Sequence, residues 1–586
     1  MAQQFNTKAL VQAGLLVLVF LFLVFYYHLI NFRGISESQA MEQADIARNI
    51  SKGDGFSTNI IRPRALKQAL LRAGDGQLSL PLKDTIHAPV HPFLNSLLFR
   101  FGDTESRLEA EESIYPLDKI VAGNSLLFFV LSIGVCYLLV SRLFDTRLGF
   151  VTAILMALCQ TMWAFTQSGL PQMHLLFFFN LGLLFLHKVA TAVGDPENPR
   201  SPLIPALLAG CCFALLGLTH WLALWPFWGI VLAVALSFPQ KLKVLVGLIS
   251  PVVIGLVAWG VRNASVCGDP FGMAKVIFYG SLQPLGEAGL LRDFSSEETF
   301  SFAGLPTRLS LATLAQADGL YVALGAIIVA PLFLLALLHI FRNPITSRFR
   351  WVVLSAWIFA ALGMSAFGIE ENKAVQFNQL HILFAPIMSA YGLAMLSVLW
   401  SRLEIKGHMP FAHTGHIAIA IALSALPLLL TLPAGIKQGL FIKAAAKASF
   451  MHWPPYHPPI LSRLSTKVGE DKSVVTDNPW GLAWYSDSPS IWLPKDWEQL
   501  TAISEEMDKL ALPIAGILLT PNTTFLRLGD QILGPEGEAW SRLSLRSTVL
   551  KVGGGDIFRE LDFPYSELHV LSQGGEMIFY GDKRYW

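Results

Sequence analysis

Two carboxylates, Glu37 and Glu42, stand where a base would serve, in the segment Ile35–Ser57 that follows the first apolar run. A carboxylate held at a membrane surface can take a proton from an acceptor hydroxyl or amine. The segment reads as a short amphipathic helix. Ser36 is placed to cap its start, with Gln39 three residues on to complete a capping box. Gly53 is placed to end it in the left-handed conformation. Ala40, Ala44, Ala47 and Ile50 share one side, offered to a membrane surface or a bundle, while Ser38, Glu42, Asp45 and Asn49 share another. Plainer explanations differ by residue. The helix dipole alone accounts for an acid at Glu37, and Asp45 and Arg48 suit a pairing within the helix. Glu42 is mid-helix, where no cap explains it, so it is the first candidate base and Glu37 the second.

Cations and imidazoles follow. Arg62, Arg64, Lys67 and Arg72 lie close together in sequence. Phosphate on a lipid carrier would use Arg bidentately and Lys as a point charge; ordinary anionic headgroups are the alternative ligand. His87 and His91 are four apart, but Pro89 and Pro92 keep one regular helix from presenting both. A divalent metal between them, with Glu37 or Glu42 as third ligand, is compatible with these residue types and not required by them. His220 sits beside Trp221 at a turn between apolar runs, and Lys373 shares a short loop with Glu370 and Glu371. The candidate substrate-binding set is therefore Arg62, Arg64, Lys67, His91, His220 and Lys373. No Walker or dinucleotide motif occurs, so no soluble nucleotide site is expected, and Gly553–Gly555 is a turn signal only.

The elements that must position these groups are set by hydrophobicity. Of 586 residues 53% are hydrophobic and 15% charged, with a mean hydropathy of +0.50, which is far from a soluble composition. The expected fold class is a polytopic α-helical membrane protein of about eleven spans with a small C-terminal α/β domain. The expected spans are 9–30, 118–141, 149–166, 171–189, 203–219, 221–238, 244–262, 319–341, 350–367, 378–400 and 415–433. The first run lacks a small-residue cleavage site and reads as a retained anchor. A net charge of +1 gives no field that would favour nucleic acid. Four of the five cysteines (Cys136, Cys159, Cys211 and Cys212) lie in apolar runs, and with Cys267 they make neither a disulfide framework nor a zinc pattern.

Charge sets the expected orientation. Lys8, Arg142 and Arg147, Lys188 and Arg200, Lys241 and Lys243, Arg342, Arg348 and Arg350, and Arg402 and Lys406 fall in alternate loops, which the positive-inside rule places in the cytoplasm. The N-terminus is then cytoplasmic, in a multi-pass protein of the cell inner (cytoplasmic) membrane. The stretch 31–117 and everything after about 434 then lie outside, in the periplasm or beyond the cell. Expected domains are 1–433 (membrane domain with interfacial helices in 31–117), a linker at 434–465 rich in Trp and Pro (Trp453–Pro459), and an α/β domain at 466–586. Its expected strands are 472–477, 490–493, 514–520 and 577–580, with a helix over 496–509.

Motifs along most of the chain resemble bacterial GT-C membrane glycosyltransferases, closest in pattern to the protein O-mannosyltransferase and lipid A aminoarabinose transferase group. These are Ile-Ala-Arg-Asn (Ile46–Asn49), Gly-Asp-Gly-Phe (Gly53–Phe56), His-Pro-Phe-Leu (His91–Leu94), Ser-Gly-Leu-Pro (Ser168–Pro171), Val261–Gly272, Val475–Tyr485 and Ile491–Pro494. The resemblance implies a sugar donor on polyprenyl phosphate or diphosphate, an acceptor outside the cytoplasmic membrane, a carboxylate base in the first outer loop, and inversion at the sugar carbon. It also implies an aspartate nine residues before Arg48, and that slot holds Gln39. Glu42 lies one turn after the slot and Glu37 two residues before it. The departure supports a rival reading, a non-catalytic binding or scaffold protein of a cell-envelope glycan pathway with the same fold. A transporter would need ionisable groups near the bilayer midplane, and the spans are almost free of charge.

Overall fold

The computed structural model describes residues 7–74, 78–102, 114–194, 201–280, 286–295, 302–369, 373–403, 414–445, 458–469, 471–524, 540, 543, 565, 567–571 and 577–585. Glu370, Glu371, Gly553–Gly555 and most of the Trp453–Pro459 linker lie outside the described residues. The chain opens with α1 (Thr7–Phe25), one π turn over Tyr26–Ile30, and α2 (Ser38–Lys52). The first long loop adds β1 (Ser57–Thr58), β2 (Ile60–Ile61), α3 (Pro63–Ala73), β3 (Leu82–Lys83) and α4 (Val90–Phe99). An apolar series follows: α5 (Pro116–Leu143), α6 (Thr146–Ala157), α7 (Gln160–Ser168), α8 (Gln172–Gly194), α9 (Leu203–Thr219), α10 (Leu224–Ser237) and α11 (Lys241–Cys267). Short α12 (Ala274–Gly280) and α13 (Gly286–Leu291) lead to α14 (Leu305–Ala323), α15 (Phe333–Ala336), α16 (Pro344–Phe367), α17 (His381–Ser401) and α18 (Gly415–Ala445). The tail holds α19 (Pro458–Val468), β4 (Ser473–Thr476), α20 (Pro479–Ser486), β5 (Ser490–Trp492), α21 (Trp497–Lys509), β6 (Ile514–Leu519), α22 (Pro521–Thr524), β7 (Glu567–Val570) and β8 (Ile578–Gly581).

Among the described residues, six helices (α5, α8, α11, α16, α17 and α18) are long and apolar enough to cross a membrane. The pair α6 and α7, bent by 56°, makes a seventh if counted as one span. The chain is a multi-pass membrane protein. Segments 14–30, 203–219 and 221–237 are apolar helices of shorter length. The span expected at 319–341 is not one helix. The backbone turns through positive φ at Gly325 (78°) and Ala326 (54°) after α14 ends at Ala323, and only a 3-10 turn at Ala330–Leu332 and the single turn of α15 follow. Pro331 lacks the N–H that would carry a helix through. This break abuts the bend between α6 and α7, where the Cys159 thiol donates to the Gly325 carbonyl at 3.4 Å.

The four expected tail strands form within about a residue of their expected ends, because their apolar runs are bounded by polar and proline-containing turns. They join a six-stranded sheet in the order β2-β5-β4-β6-β8-β7. Its edge comes from far away in sequence: β2 pairs parallel with β5, Ile60 with Ser490 and Ile61 with Ile491. Ile61 and Leu66 of the first loop share one core with Val475, Ile491, Ile517 and Tyr580 of the tail. The tail helix α20 packs against α2, where Arg48 donates to the Ala483 and Trp484 carbonyls.

α2 itself starts later than its sequence predicts. Glu37 occupies the N-cap position in extended backbone (φ −90°, ψ 132°) with no side-chain cap bond, so the Ser36–Gln39 capping box does not form. Ile35, fully buried, holds the approaching chain straight and leaves Ser36 exposed. Gly53 closes the helix at φ 100°, where its N–H bonds the last carbonyls. Every residue from Ala40 to Asn49 is buried, so neither side of α2 lies open on a surface.

Candidate functional site

Burial on all sides forces the acids of α2 to find partners. Glu42 Oε2 accepts from Arg62 Nη2 at 2.8 Å and from His87 Nε2 at 3.0 Å. His87 Nδ1 meets Asp84 Oδ2 at 2.8 Å. All four side chains are buried, and two carboxylates against a guanidinium and an imidazolium sum to zero charge. Burial alone would raise the Glu42 carboxyl; Arg62 and the His87 bond reverse this and hold it below the usual carboxylate range. Burial would likewise neutralise His87, but the carboxylates of Asp84 and Glu42 lift it to about 9. Asp84, buried as deeply, is carried well below the carboxylate range by His87 and then Arg62. His87 is therefore charged at neutral pH, with both ring nitrogens donating to carboxylates.

The loop that carries Asp84 and His87 is pinned from several sides. Asp84 Oδ1 accepts the Ile86 N–H at 2.8 Å, the turn that a short carboxylate makes with its own backbone. Arg262 at the end of α11 donates to the Asp84 carbonyl and, at 3.0 Å, to that of Phe56. Trp221 Nε1 donates to the Ile86 carbonyl at 2.9 Å. A second polar chain runs inward: His91 Nδ1 meets Gln43 Oε1 at 2.8 Å, Asn95 Nδ2 donates to His91 Nε2 at 3.2 Å, and Asn124 Nδ2 to Asn95 Oδ1 at 2.8 Å. Burial and the nearby His87 charge push His91 down to about 3, so it stays neutral. The two histidines thus have separate partners. Among the described residues, no three His, Cys, Asp or Glu side chains are grouped to hold a metal ion.

Beside these networks lies a cavity of about 330 Å3. Glu37 at the N-cap of α2, Ser38 and Gln39 of its first turn, Gln43, His87, the His220–Trp221 turn, Arg308 of α14, and Phe367, Gly368, Gln376 and Phe377 line it. Its size suits a small polar ligand such as a sugar ring. Of the predicted site residues, Glu37 and His220 line this cavity, and His220 Nδ1 accepts from the Leu222 N–H at 3.1 Å. Glu42 stands behind His87 and does not line it. Arg62 is engaged by Glu42, Arg64 is buried, and Lys67 lies 4.8 Å over the Phe294 ring. None of these three lines the cavity. Lys373 lines a separate cavity of about 510 Å3 together with Gln316, Asp318 and His381.

No family model and no curated protein sequence matches the chain. Its structure matches that of ArnT from Cupriavidus metallidurans bound to undecaprenyl phosphate, with a TM-score of 0.50, 13% identity and 97% of both chains covered. It also matches the Archaeoglobus fulgidus oligosaccharyltransferase in complex with Zn and sulfate, with a TM-score of 0.50, 12% identity, 88% of this chain and 68% of that one. The chain has the GT-C fold. Within this GT-C architecture, two motifs set apart by more than 400 residues meet. Arg48 of Ile-Ala-Arg-Asn donates to the carbonyls of Trp484 and Ala483, both at 2.7 Å, and pairs with Asp45 at 2.9 Å and Asp487 at 3.2 Å. Trp484 Nε1 donates to Asp118 of α5 at 2.8 Å. Arg48 therefore joins the tail to α2 as well as pairing within the helix, while Asp45 also accepts from Thr58 Oγ1 and the Asn59 N–H of the first loop, both at 2.8 Å.

Sequence reasoning missed two residues of the site. Asp84 had a local signal, an aspartate three residues before His87 in a short loop able to make an aspartate turn. Arg308 had none, because nothing near it in sequence shows that α14 closes the cavity.

Proposed function

We propose that the protein is a membrane glycosyltransferase that moves a sugar from a polyprenyl-phosphate-type donor to a lipid, glycan or protein acceptor on the extracytoplasmic face. The observation that carries this reading is Glu37, the carboxylate in the lining of the cavity. Glu37 takes the proton of the acceptor hydroxyl or amine as the acceptor atom bonds to the sugar C1. The bond from C1 to the phosphate oxygen breaks, and the electron pair leaves with the polyprenyl phosphate. Attack opposite the leaving group inverts that carbon. Glu42, the first candidate from sequence, here holds His87 in place, and a carboxylate with a lowered pKa is the weaker base.

The loop charges support a cytoplasmic N-terminus and a tail on the far side of the inner membrane, with the cavity open to that side. The division into 1–433, 434–465 and 466–586 stands in this reading with one addition: β2 completes the tail's sheet. ArnT bound to undecaprenyl phosphate supports a lipid-phosphate donor. Gln39 in the family's aspartate slot supports the scaffold reading instead, and one experiment separates the two. Lipid-linked sugars and envelope glycans are compared by mass spectrometry in cells carrying no gene, wild type or Glu37→Gln. The wild type restores a glycan, and Glu37→Gln loses at least about a hundredfold in transfer while its donor accumulates. Equal glycans in all three would leave a scaffold; full activity in Glu37→Gln would remove Glu37 from the base role.

A further inference from the structure

The cavity lining holds one polar group whose direction the fold has fixed. Resting on the transferase reading, we infer that Gln43 selects the sugar: its amide N–H groups take a sugar that turns an uncharged oxygen, a hydroxyl or an acetamido carbonyl, toward α2, and they reject one that turns an ammonium there. The direction comes from a chain of buried bonds. Asn124 Nδ2 donates to Asn95 Oδ1 at 2.8 Å, which leaves Asn95 Nδ2 to donate to His91 Nε2 at 3.2 Å. A neutral imidazole that accepts at Nε2 carries its proton on Nδ1, and His91 is too deeply buried beside the charged His87 to hold a second one. Nδ1–H therefore donates to Gln43 Oε1 at 2.8 Å. Gln43 lines the cavity although it is only 1% exposed, and among the described residues its Nε2 has no hydrogen-bond partner. With the amide oxygen taken, the NH2 end is what remains for a ligand.

Turning the amide over would set Nε2 against the His91 N–H, donor against donor, so the choice is built in. An ammonium also has donors only, and it cannot bond to the Gln43 nitrogen. A site built around one polar bond rejects an analogue that cannot make it far better than apolar fit does. No net field offsets this. The His87 cluster sums to zero, and Glu37 and Arg308, the other charged residues of the lining among those described, cancel. An ammonium paired with Glu37 would occupy the carboxylate that the reaction needs free. Gln39, one turn earlier on α2, also lines the cavity; among the described residues no bond fixes its amide, so it serves donors and acceptors alike. His91, Asn95 and Asn124 are outside the lining and act through Gln43 as positioning residues.

The test uses the full chain in nanodiscs, with binding followed by native mass spectrometry. The probes are polyprenyl phosphate alone and carrying glucose, galactose or mannose, with analogues of the best-bound hexose in which one hydroxyl at a time is replaced by an amine. Wild type is expected to bind a hexose better than the bare carrier and to lose about tenfold or more for the amine at one position. Gln43→Glu keeps the bond to His91 and puts an oxygen where the NH2 was, so it should recover that same amine and lose the hexose. Gln43→Met should weaken hexose binding and erase the difference between hydroxyl and amine; it carries the comparison if Gln43→Glu does not fold. Asn95→Leu frees the His91 tautomer and should shrink the discrimination. Binding of bare polyprenyl phosphate should stay as in wild type throughout. Wild type that takes every amine as well as the hexose, or no hexose better than the bare carrier, overturns the inference and leaves the transferase reading intact. So does unchanged discrimination in both Gln43 variants, or a loss shared equally by hexose and bare carrier. A wild-type protein that binds none of the probes removes the transferase reading as well.

Discussion

Glu42→Gln should separate a structural carboxylate from a catalytic one. The substitution keeps the shape and one acceptor oxygen, but takes the buried cluster from zero to +1, because Arg62, His87 and Asp84 remain. Removing one partner of a buried ion pair costs about 3 to 5 kcal/mol, mostly the penalty on the charge left behind. His87 offers an escape, since losing its proton restores neutrality. The loss should therefore be nearer about 3 kcal/mol at pH 8 and nearer about 5 kcal/mol at pH 5, where the imidazole keeps its proton. Thermal unfolding in detergent at both pH values reads this as a lower midpoint, with the larger drop at pH 5. The double variant Glu42→Gln/Arg62→Met removes both charges of the pair and should recover part of the drop. Below its midpoint Glu42→Gln should still transfer sugar. An unchanged midpoint at both pH values refutes the cluster's structural role. Abolished transfer in a protein of wild-type stability would return the base to Glu42.

Two further predictions concern pH and the tail. His87 is raised in the folded protein, so its stabilisation is complete below its unfolded value of about 6.5 and lost as pH rises through about 9; Glu42 and Asp84 are lowered, so theirs is present above about 4.5 and lost in acid. The unfolding midpoint should therefore be highest between about pH 5 and 6.5 and fall between 7 and 9.5, and His87→Gln should flatten that alkaline fall; a fall of equal size in His87→Gln would assign it to other groups. Trp484 is fully buried against Phe99, Tyr115 and the Arg48 guanidinium, so Trp484→Ala should cost about 3 to 5 kcal/mol and release the tail to limited proteolysis, while protection equal to wild type would show that the β2–β5 pairing and the Arg48 bonds to the tail hold it without the indole.

What the sequence determined by itself was local. Apolar runs without charge dictate helices in a bilayer because no other backbone form satisfies its own polar groups there. Gly53 stops α2 for a reason contained in one residue, and the tail strands follow from apolar runs between turn residues. The order of short motifs pointed to the GT-C fold before any contact was known. Tertiary structure decided the rest, since partners far apart in sequence leave no periodic trace. Nothing near Glu42 in sequence shows that Arg62 and His87 close on it, or that Glu37 lines the cavity while Glu42 does not. Ile60 and Ile61 are too short a run to read as a strand until β5 pairs with them. Arg308 is an unremarked cation at the start of a helix until Gly368 and the first turn of α2 are brought around the same cavity. Element type is set by neighbours along the chain, whereas the charge and access of a site are set by whatever the fold packs against it.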